Sequence, residues 1–385
     1  MTNSPRLRST GGGSFFGDYL YEQVIDRQHF LVALSKLFDW ESFSDDLLSY
    51  YRGKGRRGRP PYNPVLMLKM LFVSYLYGVS ERQVEELATY HLAVKYFLGL
   101  AVDQAPPDHS SLTKFKNRLL NRHAWEGFQQ VFQGLIQQAR AQGLQMGELQ
   151  VLDSVHTQAD VNNEKDRERQ KRGGPPRDPD AQMVNKGKRK VVEPDGKVRE
   201  REVRYRGYKS HVSVNAGTSL VTAVVPARGN TADNKAFPTV RAQDQDLKLP
   251  TTTYGGDRAY DDTDLYARLE EEELRSGISL NDYRTQKKDP NKERWLELVA
   301  DPEYQKAKAQ RYRVEQPFGI AKQRHGFERC RYVGLLRYGV QALMTFMVHN
   351  AKRMVKLLTG LTFRPQAKGR RAEVLDPVYA TLPWA

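Results

Sequence analysis

The hydrophobic pattern of this sequence changes its period once, near Gly147. Upstream of that turn signal, apolar residues recur every three to four positions, which indicates amphipathic helices. Downstream, residues 148–152 alternate, with Leu149 and Val151 on one face, so they predict a β-strand that delivers Asp153 at its end. We therefore expect an all-helical region followed by a region that combines strands with helices.

The second region continues as an ordered series of strands and helices. The patterns predict strands at 208–214, 219–226, 251–254 and 277–280, and helices at 231–247, 263–274, 291–299, 315–322 and 340–358. Asp153 and Asp257 each follow a predicted strand, and Glu315 lies on a later helix. Neighbouring central strands of one sheet would bring the two aspartates together, and a helix packed on that sheet would add the glutamate.

Three converging carboxylates repel one another unless divalent cations lie between them. Oxygen-only ligands with open positions suit Mg²⁺ or Mn²⁺. Each aspartate taken alone has an ordinary alternative, because Asp is common at strand ends and in turns. The ordered set of Asp153, Asp257 and Glu315 is more specific than any of its members.

The segment 311–322 places a carboxylate between cations. If it is helical, Arg311, Glu315, Phe318 and Lys322 share one face, and a cation there could hold a phosphate oxygen. An ion-paired surface face is the alternative interpretation, since such pairs are common on helices. Pro317 fits only if the helix begins near Glu315.

The helical region carries a possible DNA-reading face. Helices are predicted at 63–77 and 92–98, with Gly78 and Gly99 as stops, and Ser80 with Gln83 has the form of a capping box. A further helix has an apolar stripe and an opposite face that carries Lys114, Arg118 and Arg122. This face suggests a helix-turn-helix-like DNA reader, and a solvated helix surface is the alternative.

The basic run at 52–59 contains Arg56, Arg57 and Arg59 among glycines. It could lie along phosphates or enter a narrow minor groove, and a solvated loop is the alternative. A second charged segment, residues 162–206, contains 15 Lys+Arg and 9 Asp+Glu, a net charge of +6. Because it has few apolar residues, it is predicted to be mobile or to be ordered by DNA.

The overall charge points to a polyanionic partner. The chain has 61 Lys+Arg against 46 Asp+Glu, a net charge of +15, which favours nucleic acid and leaves an acidic membrane surface as the rival. No stretch has the length and apolarity of a spanning helix, and no signal peptide is evident, so we expect a soluble intracellular protein. The single cysteine, Cys330, excludes an intrachain disulfide and a cysteine-based zinc cluster.

Five motifs together carry a family resemblance. They are Gly256-Asp257-Arg-Ala-Tyr260-Asp, Arg311-x3-Glu315-x6-Lys322, the upstream Asp153, Gly58-Arg-Pro-Pro-Tyr62 and Ser80-x-Arg82-Gln83. With these motifs the chain resembles the DDE transposases of bacterial insertion sequences, the IS-five-like class, over about residues 15–358 apart from the charged segment. One position departs from the related signature, which has Tyr three residues before the Arg where this chain has Lys308.

The resemblance implies a fold, an activity and a set of site residues. The fold would be an RNase H-like mixed sheet flanked by helices, preceded by an all-helical DNA-binding domain. The activity would be binding of terminal inverted repeats, with cleavage and strand transfer that use two Mg²⁺, or Mn²⁺ as a substitute. Asp153, Asp257 and Glu315 would be the catalytic, metal-binding triad, with Arg311, Lys322 and Arg258 as basic residues that contact DNA.

The expected organisation is a flexible N-terminus at 1–14, a helical DNA-binding domain at 15–145, a catalytic domain at 146–360 and a basic tail at 361–385. The partners would be double-stranded DNA of the element ends and the target, bound by a homodimer or higher oligomer in the bacterial cytoplasm, at the nucleoid. His156, His211, His325 and His349 are expected to be structural or to face DNA. Two alternatives remain open: an RNase H-like nuclease or resolvase without strand transfer, and a DNA-binding regulator with inert carboxylates.

Overall fold

The structure is a computed structural model of the 385-residue chain, and it describes residues 7, 15–51, 60–123, 125–192, 198–287 and 289–364. Three predictions therefore lie outside the described residues. They concern the basic run with Arg56, Arg57 and Arg59, the side chain of Arg122, and nearly all of the two terminal segments.

The first region is helical, as predicted. Its helices are α1 (Phe15–Val24), α2 (Phe30–Leu37), α3 (Ser44–Ser49), α4 (Pro64–Tyr77), α5 (Glu81–Tyr90), α6 (Leu92–Leu98), α7 (His109–His123) and α8 (Glu126–Ala141). The sequence patterns did not predict α1–α3. Helix α4 starts where the Asn63 side chain accepts a hydrogen bond from the Val65 amide, and it ends at Gly78 with φ +68°. The predicted capping box of Ser80 and Gln83 opens α5.

The second region combines strands and helices. Its strands are β1 (Leu149–Gln158), β2 (Gln182–Val192), β3 (Val198–Asn215), β4 (Val221–Arg228), β5 (Thr253–Gly256) and β6 (Arg275–Ile278). Its helices are α9 (Asn163–Lys171), α10 (Asp233–Asp246), α11 (Thr263–Glu271), α12 (Lys292–Ala300), α13 (Pro302–Ala309), α14 (Glu315–His325) and α15 (Leu335–Thr359). Helices α9 and α13 were not predicted.

The strands form one mixed sheet in the order β2, β3, β1, β5, β6, and β4 also pairs with β3. Strand β1 is antiparallel to β3 and parallel to β5, and β5 is parallel to β6. Strand β3 is long enough to pair with β1 and β4 through residues 207–215 and with β2 through residues 198–207. A mixed sheet behind a helical region is the predicted fold class.

Two apolar layers cover the sheet. On one face, α14, α15 and the helical region share a core with Val151, Val155 and Val212. On the other face, α10, α11 and α12 pack around Leu152 and Tyr254. Helix α15 contacts both α8 and β4, so one apolar core crosses the expected boundary at residue 145.

Two predictions about local structure are wrong. Strand β1 does not end at Asp153 but continues to Gln158, because the residues beyond Asp153 keep pairing with β3. The segment 162–206 does not lack structure: it forms α9, β2 and the first half of β3. Backbone pairing and buried carboxylates replace the missing apolar core there, since Asp166 accepts from the Arg177 amide and Asp178 from the Tyr208 hydroxyl.

Among the described residues, no helix combines the length and the apolarity that a membrane crossing requires.

Candidate active site

The register of the two central parallel strands places two aspartates side by side. Leu152 of β1 lies opposite Gly256, the last residue of β5, and Asp153 and Asp257 are the residues that follow them. Neighbouring strands are about 4.8 Å apart, so the two side chains leave adjacent points of the sheet. Sheet pairing thus joins residues that are far apart in the sequence.

Asp153 is a largely buried carboxylate, with a side chain that is 19% exposed. Its Oδ1 accepts a hydrogen bond from the Ser154 amide at 2.6 Å. Burial, followed by the negative charges of Asp257 and Asp233, raises the pKa of Asp153 to about 6, although Ser154 and Arg311 act in the opposite direction. Burial therefore disfavours the ionised form of Asp153 in the metal-free protein, and the neighbouring aspartates add to this effect.

Asp257 owes its position to the end of β5. The strand stops after Gly255 and Gly256, and Asp257 caps a 3₁₀ turn at Arg258–Tyr260 by accepting a hydrogen bond from the Ala259 amide at 3.0 Å. A Cβ at Gly256 would lie 3.4 Å from the Tyr260 ring, which is van der Waals distance, so the turn packs directly against the end of the strand.

Arg311 connects two members of the predicted triad. Its Nη1 lies 3.7 Å from Oδ2 of Asp153, and its Nη2 lies 3.9 Å from Oε1 of Glu315. The predicted helix begins at Glu315, as Pro317 requires, but the condition for a helical face shared with Arg311 is not met, because Arg311 belongs to a 3₁₀ turn at Gln310–Val314. This start places Pro317 in the first helical turn, where its missing N–H costs nothing.

The other members of the predicted face are not drawn to the carboxylates. Phe318 packs into the core beside Phe346, with ring centroids 6.4 Å apart. Lys322 is half-buried on α14, and within the described residues it forms no ion pair with the triad. Arg258 pairs at the surface with Asp282 at 2.8 Å, and Lys308, at the variant signature position, lies over the Tyr304 ring.

The sequence patterns missed a second charged cluster beside the triad. Asp233, at the start of α10, has its Oδ1 3.1 Å from Nζ of Lys209 and 3.0 Å from Nδ1 of His211. Burial opposes ionisation of Asp233, but His211 and Lys209 prevail and lower its pKa to about 2. Ser154 of β1 lies opposite His211 of β3. Because side chains alternate between the two faces of a strand, this pairing, had it been known, would have placed His211 beside the site.

Tyr260 is the other residue that the patterns did not assign. Its side chain is fully buried, and its hydroxyl has no hydrogen-bond partner among the described residues. Burial first, and then the charges of Asp233, Asp153 and Asp257, raise its pKa well above the ordinary value. The group therefore stays a neutral donor next to the carboxylates.

The donor chemistry of this site fits a hard divalent cation. Asp153, Asp257 and Glu315 offer carboxylate oxygens, and the charge of Asp257 that raises the pKa of Asp153 is one that a cation would offset. The ligand atoms of these three residues do not all lie within 4.8 Å of one another. Among the described residues, the one group of three potential metal ligands that lie so close together is Glu85, Asp108 and His109. Glu315, 68% exposed at the first turn of α14, is the member whose side chain is free to reorient.

Two family profiles match this chain. The sequence profile described as "Transposase DDE domain" matches residues 156–351, just over half of the chain, and the profile described as "Transposase domain (DUF772)" matches residues 19–118. The chain therefore belongs to the DDE transposase family, and its second region is a catalytic domain of that RNase H-like type. DDE transposases transpose DNA and use divalent metal ions.

A solved structure offers a weaker likeness. The cryo-EM structure of a piggyBac transposase synaptic complex with hairpin DNA aligns with 87% of this chain and 79% of that chain, at 10% identity and a TM-score of 0.34. At that TM-score the likeness carries no argument about the site. The matched family range also begins at residue 156, three residues beyond Asp153, so the roles of single residues stand on the geometry described above.

The charge balance of the site leads to a first prediction, for Asp153→Asn in the metal-free protein. Because the folded state raises the pKa of Asp153 from 3.8 to about 6, the free energy of unfolding of the wild type falls as pH rises through this interval and stays lower above it. Asparagine keeps the acceptor for the Ser154 amide and removes the charge. We expect the variant to be more stable by about 2–3 kcal/mol at neutral pH in EDTA and equally stable near pH 4.

Urea unfolding at both pH values measures this difference. Asp282→Asn is the matched control, because its carboxylate is 76% exposed and its removal should change stability little. Added Mg²⁺ should stabilise the wild type but not Asp153→Asn. A wild type that is at least as stable as Asp153→Asn at neutral pH would contradict this account of the site.

Proposed function

We propose that this chain is the transposase of a bacterial insertion sequence of the IS-five-like class, which binds the terminal inverted repeats of its element and cuts and rejoins DNA. The observation that carries the proposal is the register of β1 and β5, which sets Asp153 beside Asp257, together with the guanidinium of Arg311 between Asp153 and Glu315. A cytoplasmic, nucleoid-associated location and a homodimer or higher oligomer on DNA belong to the same proposal.

Asp153, Asp257 and Glu315 would hold two Mg²⁺, with Mn²⁺ as a substitute. The chemistry that such ions supply is activation of water or a 3′-hydroxyl as the nucleophile and stabilisation of the leaving 3′-oxygen in an in-line phosphoryl transfer. Asp153 must release its proton to act as a ligand, and its raised pKa makes that release dependent on the bound charge. No covalent intermediate on the protein is needed.

The basic side chains around the triad orient the DNA strand. Arg311 is 41% exposed between two carboxylates, so in the bound complex its guanidinium can donate to a non-bridging oxygen of the scissile phosphate. Arg258 and Lys322 would hold neighbouring phosphates, one from the turn after β5 and the other from α14. Tyr260, neutral and unpartnered among the described residues, can donate a hydrogen bond to a triad carboxylate and fix its orientation.

The helical region would supply affinity for the element ends. On α7, Lys114 and Arg118 are exposed, and the Arg118 guanidinium lies over the Tyr51 ring at 4.6 Å from its centroid. Together with Arg122 and the basic run that contains Arg56, Arg57 and Arg59, they make up the proposed phosphate-binding set. The stacked Arg118 keeps its charge at the surface without an ion pair among the described residues.

A second prediction concerns this helix face. Each lost phosphate contact lowers the slope of log affinity against log salt by about 0.9, so Lys114→Ala with Arg118→Ala should lower it by about two. Fluorescence anisotropy of a labelled duplex at several KCl concentrations measures the slope. The control is the double variant Arg268→Ala with Arg275→Ala, which removes the same charge from exposed positions on α11 and β6. Equal slopes in the wild type and the α7 variant would make that face an ordinary solvated surface.

Product analysis on DNA that carries the element's own ends tests the function as a whole. A transposase yields Mg²⁺-dependent cleavage at the ends and joined products. Cleavage without joining would instead favour the nuclease or resolvase alternative. Binding without any cleavage by the wild-type protein would favour a regulator with inert carboxylates.

A further inference from the structure

A second concave site lies away from the triad, where the helical region meets the start of α15. It is a cavity of about 680 Å³. The residues that matter for its chemistry are Glu81 at the start of α5, Lys116 and Asn117 on α7, and Arg331, Tyr332 and Arg337 around the start of α15. A cavity of this volume has room for one nucleotide unit.

The single carboxylate of this cavity is already neutralised. Glu81 accepts hydrogen bonds through Oε1 from Nζ of Lys116 and from the Tyr332 hydroxyl, the latter at 2.8 Å. Lys116 is only 8% exposed, and its Nζ lies 4.2 Å from the centroid of the Tyr332 ring. These three side chains form a closed, satisfied group that leaves no negative charge for the arginines.

The two arginines are therefore in excess. Arg331 is held in place, because its guanidinium stacks on Tyr75 at 4.4 Å and its Nη1 donates to the Val79 carbonyl at 3.3 Å. Arg337 lies exposed in the first turn of α15, and within the described part of the chain it forms no ion pair. Burial, with added repulsion from Arg337 and Arg331, lowers the pKa of Lys116. An anion in the cavity would relieve this repulsion.

The backbone connects the cavity to the strand that carries Asp153. Residues 328–330 run beside the end of β1, where the Gln158 amide donates to the Glu328 carbonyl and the Cys330 amide to the Gln158 carbonyl, both at 2.8 Å. Gln158 is five positions beyond Asp153 on β1, a distance of about 16 Å. Asn117, on the cavity wall, belongs to the same helix as Lys114 and Arg118.

We propose that this cavity binds a backbone phosphate of the DNA strand, with Arg337 and Arg331 as its donors and the Asn117 amide as a neutral neighbour. The inference rests on the proposed function and adds to it a contact that joins the helical region to the catalytic domain. A strand held at the triad and by α7 would thus have a third fixed point, assembled from both regions of the chain.

The test uses the full-length protein and a labelled duplex of about two helical turns. Arg337→Ala should lower the salt slope by about 0.9 and weaken binding about three- to tenfold at low salt. Asn117→Asp, which adds a negative charge at an exposed position, should weaken binding at least as much. Arg268→Ala is the matched control and should bind like the wild type, and unfolding curves of all variants should coincide.

The outcomes separate the possible explanations. An unchanged slope for Arg337→Ala with a steep wild-type slope overturns the cavity proposal alone, as does an equal loss in Arg268→Ala. If the wild type bound no duplex, the proposed function itself would fail. Thymidine 5′-monophosphate at millimolar concentration should not displace the duplex, and displacement that depends on Arg337 would assign the cavity to a free nucleotide and overturn the strand contact.

Discussion

Asp153→Ala, Asp257→Ala and Glu315→Gln should each reduce DNA cleavage by roughly 10³-fold or more, because groups that act as one catalytic unit fail together. All three side chains are proposed to ligate the same pair of ions, so the loss of one ligand disables the whole site. Binding of end DNA should change by no more than about threefold, since its affinity comes from phosphate contacts elsewhere. Gel analysis of cleavage products and anisotropy of the same duplex separate the two effects.

Asp282→Asn is the matched control for this series. Its carboxylate is exposed and pairs with Arg258 next to the site, but it belongs to no proposed ligand set. We expect it to keep cleavage. A folded Asp257→Ala protein that still cut DNA would remove the metal-triad proposal.

The second large effect is expected for the hairpin arm, which we define as the part of β2 and β3 that extends beyond the end of β1. The pairing of β3 with β1 stops at Gly207, which lies opposite Gln158 at the end of β1. Residues 198–206 of β3 extend beyond that point and pair with β2. At about 3.3 Å per residue the arm projects on the order of 30 Å. Its β3 half carries Arg199 and Arg204, and its β2 half carries Lys188 and Lys190.

The arm contributes little to the core, and its exposed cations are the reason we expect it to hold DNA. Its described ion pairs, Lys188 with Glu200 and Arg204 with Glu202, lie at the surface and contribute little to stability. The anchors at its base are different, because Asp166 binds Arg206 and Asp178 binds Tyr208 in buried surroundings. A DNA clamp would need this combination of a fixed base and exposed cations along the arm.

Shortening the arm tests that role. Asn185 and Arg204 are register partners, so an Asn-Gly turn in place of residues 186–203 would close the hairpin and keep both anchors. The removed segment contains seven Lys+Arg and four Asp+Glu, a net charge of +3. We expect DNA binding about 10- to 100-fold weaker, a shallower salt slope, weaker strand joining and little change in melting temperature.

A control variant keeps the full-length arm but replaces Lys188, Lys190 and Arg199 by Gln. It separates the effect of the arm's charge from the effect of its length. It should reproduce most of the loss of affinity if the charges act as a clamp. Limited proteolysis gives a second measurement, since end DNA should slow cleavage of the arm. A shortened protein that bound and joined DNA like the wild type would make the arm a passive extension.

The pattern of the sequence predicted those parts of the fold that depend on local chemistry. Gly78 ends α4 because only a glycine adopts its positive φ without strain, and the capping box at Ser80 opens α5 because neighbouring side chains satisfy its free amides. Asp257 was placed correctly for the same reason, since Gly256 ends β5 and the carboxylate caps the turn that follows.

Long-range pairing decided the rest. Strand β1 passes through Asp153 because β3, far along the chain, supplies hydrogen-bond partners as far as Gln158. Within the charged segment, β2 pairs with the same strand, and a count of apolar residues does not record backbone partners. Arg311 reaches Asp153 from a 3₁₀ turn rather than from a helix, a contact that no spacing rule within 311–322 contains.

The sequence by itself determined the candidates for the chemistry of this protein: the ordered Asp153, Asp257 and Glu315, the cations near them, and a basic helical region ahead of them. Only the tertiary structure decided how those residues are arranged. The sheet register that adjoins Asp153 and Asp257, the burial that raises the pKa of Asp153, and the cavity that Arg331 and Arg337 share with α7 all arise between distant segments. The kind of side chain at each position is given by the sequence. The closeness of these side chains and the loss of water around them arise only when the sheet and its two apolar layers have assembled.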